Sequence, residues 1–252
     1  MGGAKAKKIR LDQALAERGL CDSREQAKRL ILAGEVKVGG HVVDKPASKI
    51  DPDAEIDVRE RPKYVSRGGL KLEGALDAFG IDPAGMVCAD IGASTGGFTD
   101  CLLQRGAARV YAFDVGTNQL AWKIRSDPRV IAREQFNCRQ LLPEHLEGAE
   151  SGADLCVIDV SFISLTLILG PALGILRPGG SIVCLIKPQF ELEKGEIGKG
   201  GIVRDPALHQ KCVAKIRSFI DARDDADWLG LVDSPIEGME GNREFLAQIR
   251  RR

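Results

Sequence analysis

Apolar positions along this chain follow two rhythms. Leu11, Ala14 and Leu15 share one face of a helix predicted over Ile9–Arg18 and stopped by Gly19. Ala27, Leu30 and Ile31 form the stripe of a second helix, opened by Ser23 with Gln26 as its capping-box partner and closed by Gly34. Glu35–Val38 and His41–Val43 flank Gly39-Gly40, which predicts a tight hairpin. A polar stretch, Arg59–Gly69, is broken by Pro62 and two glycines, and helical spacing returns over Leu70–Phe79. From there, compact apolar runs alternate with helical segments: 86–90, 108–114, 129–133, 154–160, 181–187 and 228–234. A last run, Glu244–Arg250, puts Phe245, Ala247 and Ile249 on one face, as expected of a half-buried strand antiparallel to its neighbour. These elements predict a small αβ module over residues 1–60, a linker over 61–69, and an α/β domain over 70–252 with a mostly parallel, doubly wound, seven-stranded sheet.

Charge changes that picture in one respect. The 252 residues carry 36 basic and 36 acidic side chains. The first 49 residues hold 11 Lys and Arg against 6 Asp and Glu, so the remainder carries the matching acidic excess. A basic module in front of an acidic domain points to nucleic acid as the partner. Seven cysteines form no C-x-x-C pair and show no His at ligand spacing; Cys156 and Cys184 sit inside apolar runs. Reduced, buried thiols in a cytoplasmic protein are expected, with no metal site. The longest apolar stretch, Leu165–Leu176, has 12 residues and contains Pro171, too short to span a bilayer. With no signal-peptide pattern at the N-terminus, no membrane partner is expected.

The strand predicted at Met86–Asp90 runs into Ile-Gly-Ala-Ser-Thr-Gly-Gly-Phe-Thr-Asp, residues 91–100. Its G-x-x-x-G-G spacing fits neither the dinucleotide fingerprint nor the phosphate loop, and no Lys follows to meet a triphosphate. Glycines permit close backbone approach, and the helix behind them aims unpaired N–H groups at the turn. Asp114 falls at the tip of the next strand, 24 residues after Asp90, where an acid accepts ribose hydroxyls. A cofactor with a ribose, an amino-acid end and little negative charge suits this turn, which points to S-adenosylmethionine. Asp90, Gly92, Ser94, Thr95, Gly96, Gly97, Phe98 and Asp114 are its candidate contacts.

Longer motifs bring a resemblance. Arg10-Leu-Asp12, Ser23-Arg24-x-x-Ala27 and the Gly-Gly hairpin resemble the S4 RNA-binding domain. Val65-Ser-Arg-Gly-Gly-Leu-Lys71, Gly92–Thr99, Asp159-Val-Ser-Phe-Ile-Ser-Leu165, Lys187-Pro-Gln-Phe-Glu191 and Gly241-Asn-x-Glu244 resemble an FtsJ-type methyltransferase, and the pair in this order resembles the TlyA family. The resemblance implies a Rossmann-like class I methyltransferase fold using S-adenosylmethionine. It implies 2′-O-methylation of a ribose, a cytidine, in large-subunit ribosomal RNA, with small-subunit RNA a second target in some members. It also implies a catalytic tetrad, which Lys71, Asp159, Lys187 and Glu244 match in order. Lysine acts as a base only when its surroundings favour the neutral amine, and two amines in one pocket disfavour double protonation. Lys187 is accordingly expected as base with Asp159 its partner, and Lys71 and Glu244 as substrate-orienting groups. Ribosomal RNA or ribosomal subunits are the implied partners, with Arg10, Arg24, Lys28 and Lys45 on the S4-like face and Arg67 near the catalytic mouth.

Alternatives stay in view. Phe162 is expected in the core, with base stacking the competing role. Lys194–Gly201, rich in glycine, reads either as a closing loop or as a plain connection. A non-catalytic ribosome-assembly factor and a haemolysin-like activity, a label some relatives carry, are the rival functions; an intact tetrad weighs against the first and the lack of a membrane segment against the second.

Overall fold

The computed structural model describes residues 8–59, 62–238 and 241–252. Arg61, placed in the expected linker, lies outside the described residues. The chain divides into two compact units after Pro62.

In the first unit, strand β1 (Ile9–Arg10) pairs antiparallel with β4 (Lys49–Ile50). Helix α1 therefore covers Leu11–Glu17 and does not begin at Ile9 as expected. Its first two amides donate to Ser48 and Pro46 carbonyls, so this edge pairing, invisible to helical periodicity, sets the start. Helix α2 (Arg24–Leu32) is capped by the Ser23 hydroxyl, which accepts from the Gln26 amide, while the Gln26 side chain accepts from the Asp22 amide. Strands β2 (Val36–Val38) and β3 (His41–Val42) form the hairpin, and β5 (Ile56–Val58) joins β2 on its other side. Gly39 and Gly40 both have positive φ, the backbone that a two-residue hairpin turn demands. Leu11, Leu15, Ala27, Ile31 and Val36 close a small core of their own.

The second unit takes in residues 63–69 as well. Tyr64 is buried, and the Val65 amide donates to the Asp100 carboxylate at 2.9 Å. The expected linker thus packs onto the domain behind it. Helix α3 (Gly68–Phe79) leads into β6 (Val87–Ile91), α4 (Gly97–Gln104), β7 (Arg109–Phe113), α5 (Trp122–Arg125), β8 (Val130–Arg133), β9 (Ala153–Ile158), α6 (Thr166–Gly174), β10 (Leu176–Ile186), α7 (Pro188–Glu191), α8 (Pro206–Asp221), β11 (Ala226–Asp233) and β12 (Phe245–Arg251). The sheet runs β11-β12-β10-β9-β6-β7-β8, parallel except that β12 lies antiparallel to both its neighbours. Residues of α3, α4 and α5 pack on one face and those of α6 and α8 on the other. β12 was expected half-buried; it is covered on both sides, with Leu246 in one core and Ala247 and Ile249 in the other. Its place between β10 and β11 is the cause. Of the cysteines, six are buried and Cys21 is partly exposed, all free; burial pushes the Cys88, Cys138 and Cys184 thiols up to about 12.

Candidate active site

The turn after β6 is built by backbone. Gly92 and Ala93 amides both donate to the Phe113 carbonyl, which draws the turn across the tip of β7. Gly92 has φ +83°, and a Cβ there would stand 2.5 Å from the Asp159 carbonyl oxygen. Gly96, with φ +96°, caps α4 and faces Ile124 and Leu120. Gly97 admits the start of α3: a Cβ there would crowd Ser66 Oγ and stand 3.0 Å from the Gly69 amide nitrogen. Two of the three glycines expected to meet a cofactor thus also serve helix packing. The Asp114 carboxylate accepts the Ser94 and Gly116 amides at 2.7 Å each, and each oxygen keeps a lone pair for a diol.

Asp90 does not reach the cavity surface. It is fully buried, and Oδ2 accepts the Thr99 hydroxyl at 2.6 Å while Oδ1 has no hydrogen-bond partner. Burial pushes its carboxyl up to about 7; the Thr99 bond opposes the rise and the Asp159 charge adds to it. From about pH 4 to about pH 7 the unfolded chain releases this proton while the folded chain keeps it, so stability falls as pH rises through that window. Asp90→Asn is expected to raise the melting temperature more at pH 8 than at pH 5; equal gains at both pH values would assign the effect to something other than this proton.

One cavity of about 660 Å³ opens beside the turn. Its walls include Lys71, Asp159, Lys187 and Glu244 together with Gly92, Ser94, Thr95, Gly97 and Phe98. The tetrad is two ion pairs. Lys71 Nζ lies 2.5 Å from Glu244 Oε2, both side chains being buried. Lys187 Nζ lies 2.6 Å from Asp159 Oδ1 and donates to Ser161 Oγ at 2.9 Å. The sequence reading set the two amines against each other; here each faces its own carboxylate, so their mutual repulsion is offset within each pair. Lys187 and Asp159 sit just past the carboxyl ends of β10 and β9, the edge at which such sheets bind ligands.

Phe162 corrects an expectation. It is 92% exposed, not core, and its ring stands 5.0 Å from that of Phe190 at the cavity wall. Its φ of +65° is a left-handed backbone that costs a non-glycine residue about 1–3 kcal/mol and that collects at functional sites. Lys194–Gly201 forms two short 3-10 turns and contributes Ile197 and Gly201 to the wall. Asn242 ties its far side down, donating to the Gly201 carbonyl and accepting the Val203 amide. Ser161 and Ser66 also line the cavity and were not singled out from sequence, where a lone polar residue in a loop carries no signal.

In the first unit, Arg10 and Arg24 converge on a buried Asp12. Arg10 binds it through two nitrogens at 3.0 and 2.9 Å, and Arg24 Nε reaches it at 3.1 Å. The Arg10 bond first, and the Arg24 bond with it, hold the Asp12 carboxyl at about 2 against the opposing effect of burial. Both guanidiniums stay partly exposed, each held in a fixed plane. Lys45 is exposed on the loop whose Pro46 carbonyl meets α1. Lys28, one turn beyond Arg24, pairs with Glu25. Arg67, in the second unit, lines the cavity and donates to the Glu237 carbonyl at 2.8 Å.

A seven-stranded sheet with one antiparallel strand inserted beside β10, and a glycine turn at the carboxyl edge, defines an S-adenosylmethionine-dependent methyltransferase of class I. Residues 64–251 match the FtsJ-like methyltransferase family and residues 9–56 the S4 domain. The chain belongs to the FtsJ-like methyltransferase family, in the TlyA group that sets an S4 domain ahead of it. It is 45% identical over 250 residues to the 16S/23S rRNA (cytidine-2′-O)-methyltransferase TlyA of Mycobacterium tuberculosis, covering 97% of this chain and 91% of that relative. Hemolysin A of Brachyspira hyodysenteriae is 45% identical over 240 residues, 95% of this chain and 98% of its own. A solved structure from Streptococcus thermophilus is 47% identical with a TM-score of 0.71, covering 98% of this chain and 90% of that one.

Proposed function

We propose that this methyltransferase acts on the ribose 2′-hydroxyl of a cytidine in ribosomal RNA, with the large subunit its target and the small subunit a second one. The observation that carries the reading is the pair of Lys–carboxylate contacts facing one cavity beside the glycine turn. The Asp114 carboxylate and the open backbone at Gly92 suit a donor with a ribose and an amino-acid end. Gly92–Phe98 would hold the methionine end and Asp114 the ribose; bound S-adenosylmethionine supplies an electrophilic methyl group.

The residues do the rest. Lys187, its ammonium having first released a proton to solvent, would take the 2′-hydroxyl proton and so ready that oxygen to accept the methyl group. Asp159 fixes the amine and stabilises the ammonium that results, and Ser161 holds it from a second direction. Lys71, locked by Glu244, donates to the substrate and orients it. Alignment of this kind supplies about 7–11 kcal/mol of a barrier. The S4-like unit grips phosphates with Arg10, Arg24, Lys28 and Lys45, and Arg67 meets the strand at the cavity mouth.

The setting is the cytoplasm, on ribosomal subunits; among the described residues no helix is long and apolar enough to cross a membrane. Incubation of purified protein with labelled S-adenosylmethionine and ribosomal subunits, followed by mapping of 2′-O-methyls, tests the reading. Methyl groups on bases, or on no RNA at all, would refute it. Phe162, exposed and strained at the mouth, is placed to stack on the splayed cytosine. Phe162→Ala should lower kcat/KM for RNA about tenfold, the loss expected of one base–aromatic stack, and leave cofactor affinity alone.

A further inference from the structure

Glu191 closes the motif Lys187-Pro-Gln-Phe-Glu191 but is absent from the cavity wall. Its side chain is 2% exposed, and a carboxylate so buried requires partners. Three donors serve it, one of them twice. Oε1 accepts the Leu165 amide at 2.7 Å, Oε2 accepts the Ser164 hydroxyl at 2.6 Å and the Lys215 ammonium at 2.9 Å, and Lys215 also binds the Glu191 carbonyl at 2.8 Å. Ser164 and Leu165 end the loop that leaves β9, and that loop carries Asp159, Ser161 and Phe162. Glu191 itself ends the turn of helix α7 that begins just after Lys187.

The contacts form a closed circuit. Lys187 reaches back to Asp159 and Ser161 at one end of the loop, and Glu191 grips Ser164 and Leu165 at the other. The start of the loop is fixed by the Asp159 amide on the Ile91 carbonyl at 2.9 Å. Between these anchors the backbone passes through the strained Phe162. The Glu191 contacts tie the loop's far end to the turn behind Lys187, beside the Ser164 and Leu165 carbonyls' own bonds into α6. A carboxylate at the first amides of α6 is also favoured by the helix dipole.

Resting on the methyl-transfer reading above, we infer that Glu191 is a positioning residue: it holds the Asp159–Phe162 loop against Lys187 so that base and base partner stay in register. It touches neither cofactor turn nor substrate. Its loss therefore acts on the chemical step and not on binding, because an interaction realised only at the transition state lowers kcat and leaves KM in place. A displacement of about 1 Å in such a group costs about 10²-fold.

The test is steady-state methylation of ribosomal subunits by wild type, Glu191→Ala, Glu191→Gln and Ser164→Ala, with kcat expressed per molecule that binds S-adenosylmethionine in a titration. Glu191→Ala should lose about 10²-fold in kcat with both KM values within about twofold. Glu191→Gln, which keeps the shape and an acceptor oxygen, should recover part of that loss. Ser164→Ala, which removes one hydroxyl and little volume, should lose about tenfold in kcat, again with KM unchanged, and keeps the question open to refutation if Glu191 variants fail to fold. Undiminished kcat per binding-competent molecule, or a rise in KM alone, overturns this inference while the reaction stands. A wild type that methylates no ribosomal RNA overturns both.

Discussion

Lys187→Ala is expected to abolish methyl transfer, by about 10³-fold or more, while S-adenosylmethionine binds within a few-fold of its wild-type affinity. General-base removal alone accounts for about 10²–10⁴-fold. The substitution also leaves Asp159 beside the cavity without its ion-pair partner, so the oxygen that must lose a proton would face an uncompensated negative charge. Cofactor affinity is spared because the proposed cofactor contacts lie on the turn after β6. Isothermal titration with S-adenosylmethionine beside single-turnover methylation separates the two. Equal loss of both would make Lys187 a cofactor ligand or a structural residue and would remove it from the role of base.

Gly92→Ala should be damaging to fold and site together. At φ +83° any side chain is strained by about 1–2 kcal/mol, and the new Cβ would stand 2.5 Å from a backbone carbonyl that has no rotamer with which to escape. That carbonyl belongs to Asp159, so relief of the clash pushes on the residue paired with Lys187. A loss of about 2–4 kcal/mol in unfolding free energy is expected, together with loss of both cofactor binding and methylation. Denaturant unfolding and cofactor titration check it. A variant that is stable and binds cofactor normally would show that the turn does not need glycine at this point. The contrast with Lys187→Ala is the useful result: one change silences chemistry alone, the other removes binding and chemistry together.

Much of this was open to a reader of the sequence. Apolar runs separated by helical spacing marked all seven strands of the large sheet, and the four tetrad residues were named with their pairing, Lys187 with Asp159. What escaped has physical causes. β4 and β5, of two and three residues, exist because partners distant in sequence supply their hydrogen bonds; so short a run carries no period. Phe162 reads as core by its chemistry, and only a backbone conformation that holds it outward shows otherwise. Asp90 was counted as a cofactor contact because it ends a strand, yet strand ends can turn their side chains beneath the neighbouring helix, as the Thr99 bond makes this one do. Glu191 was quoted within a motif without a role, since a buried carboxylate looks the same in sequence as a solvated one.

The late-made strand β12, seated between two strands that precede it in the chain, has a consequence for biosynthesis. A nascent polypeptide in which β11 has emerged and β12 has not must leave a slot beside β10, with hydrogen-bonding edges on both sides unmet. Glu244 arrives immediately ahead of that strand, so Lys71 stays without its counter-ion until the slot is filled.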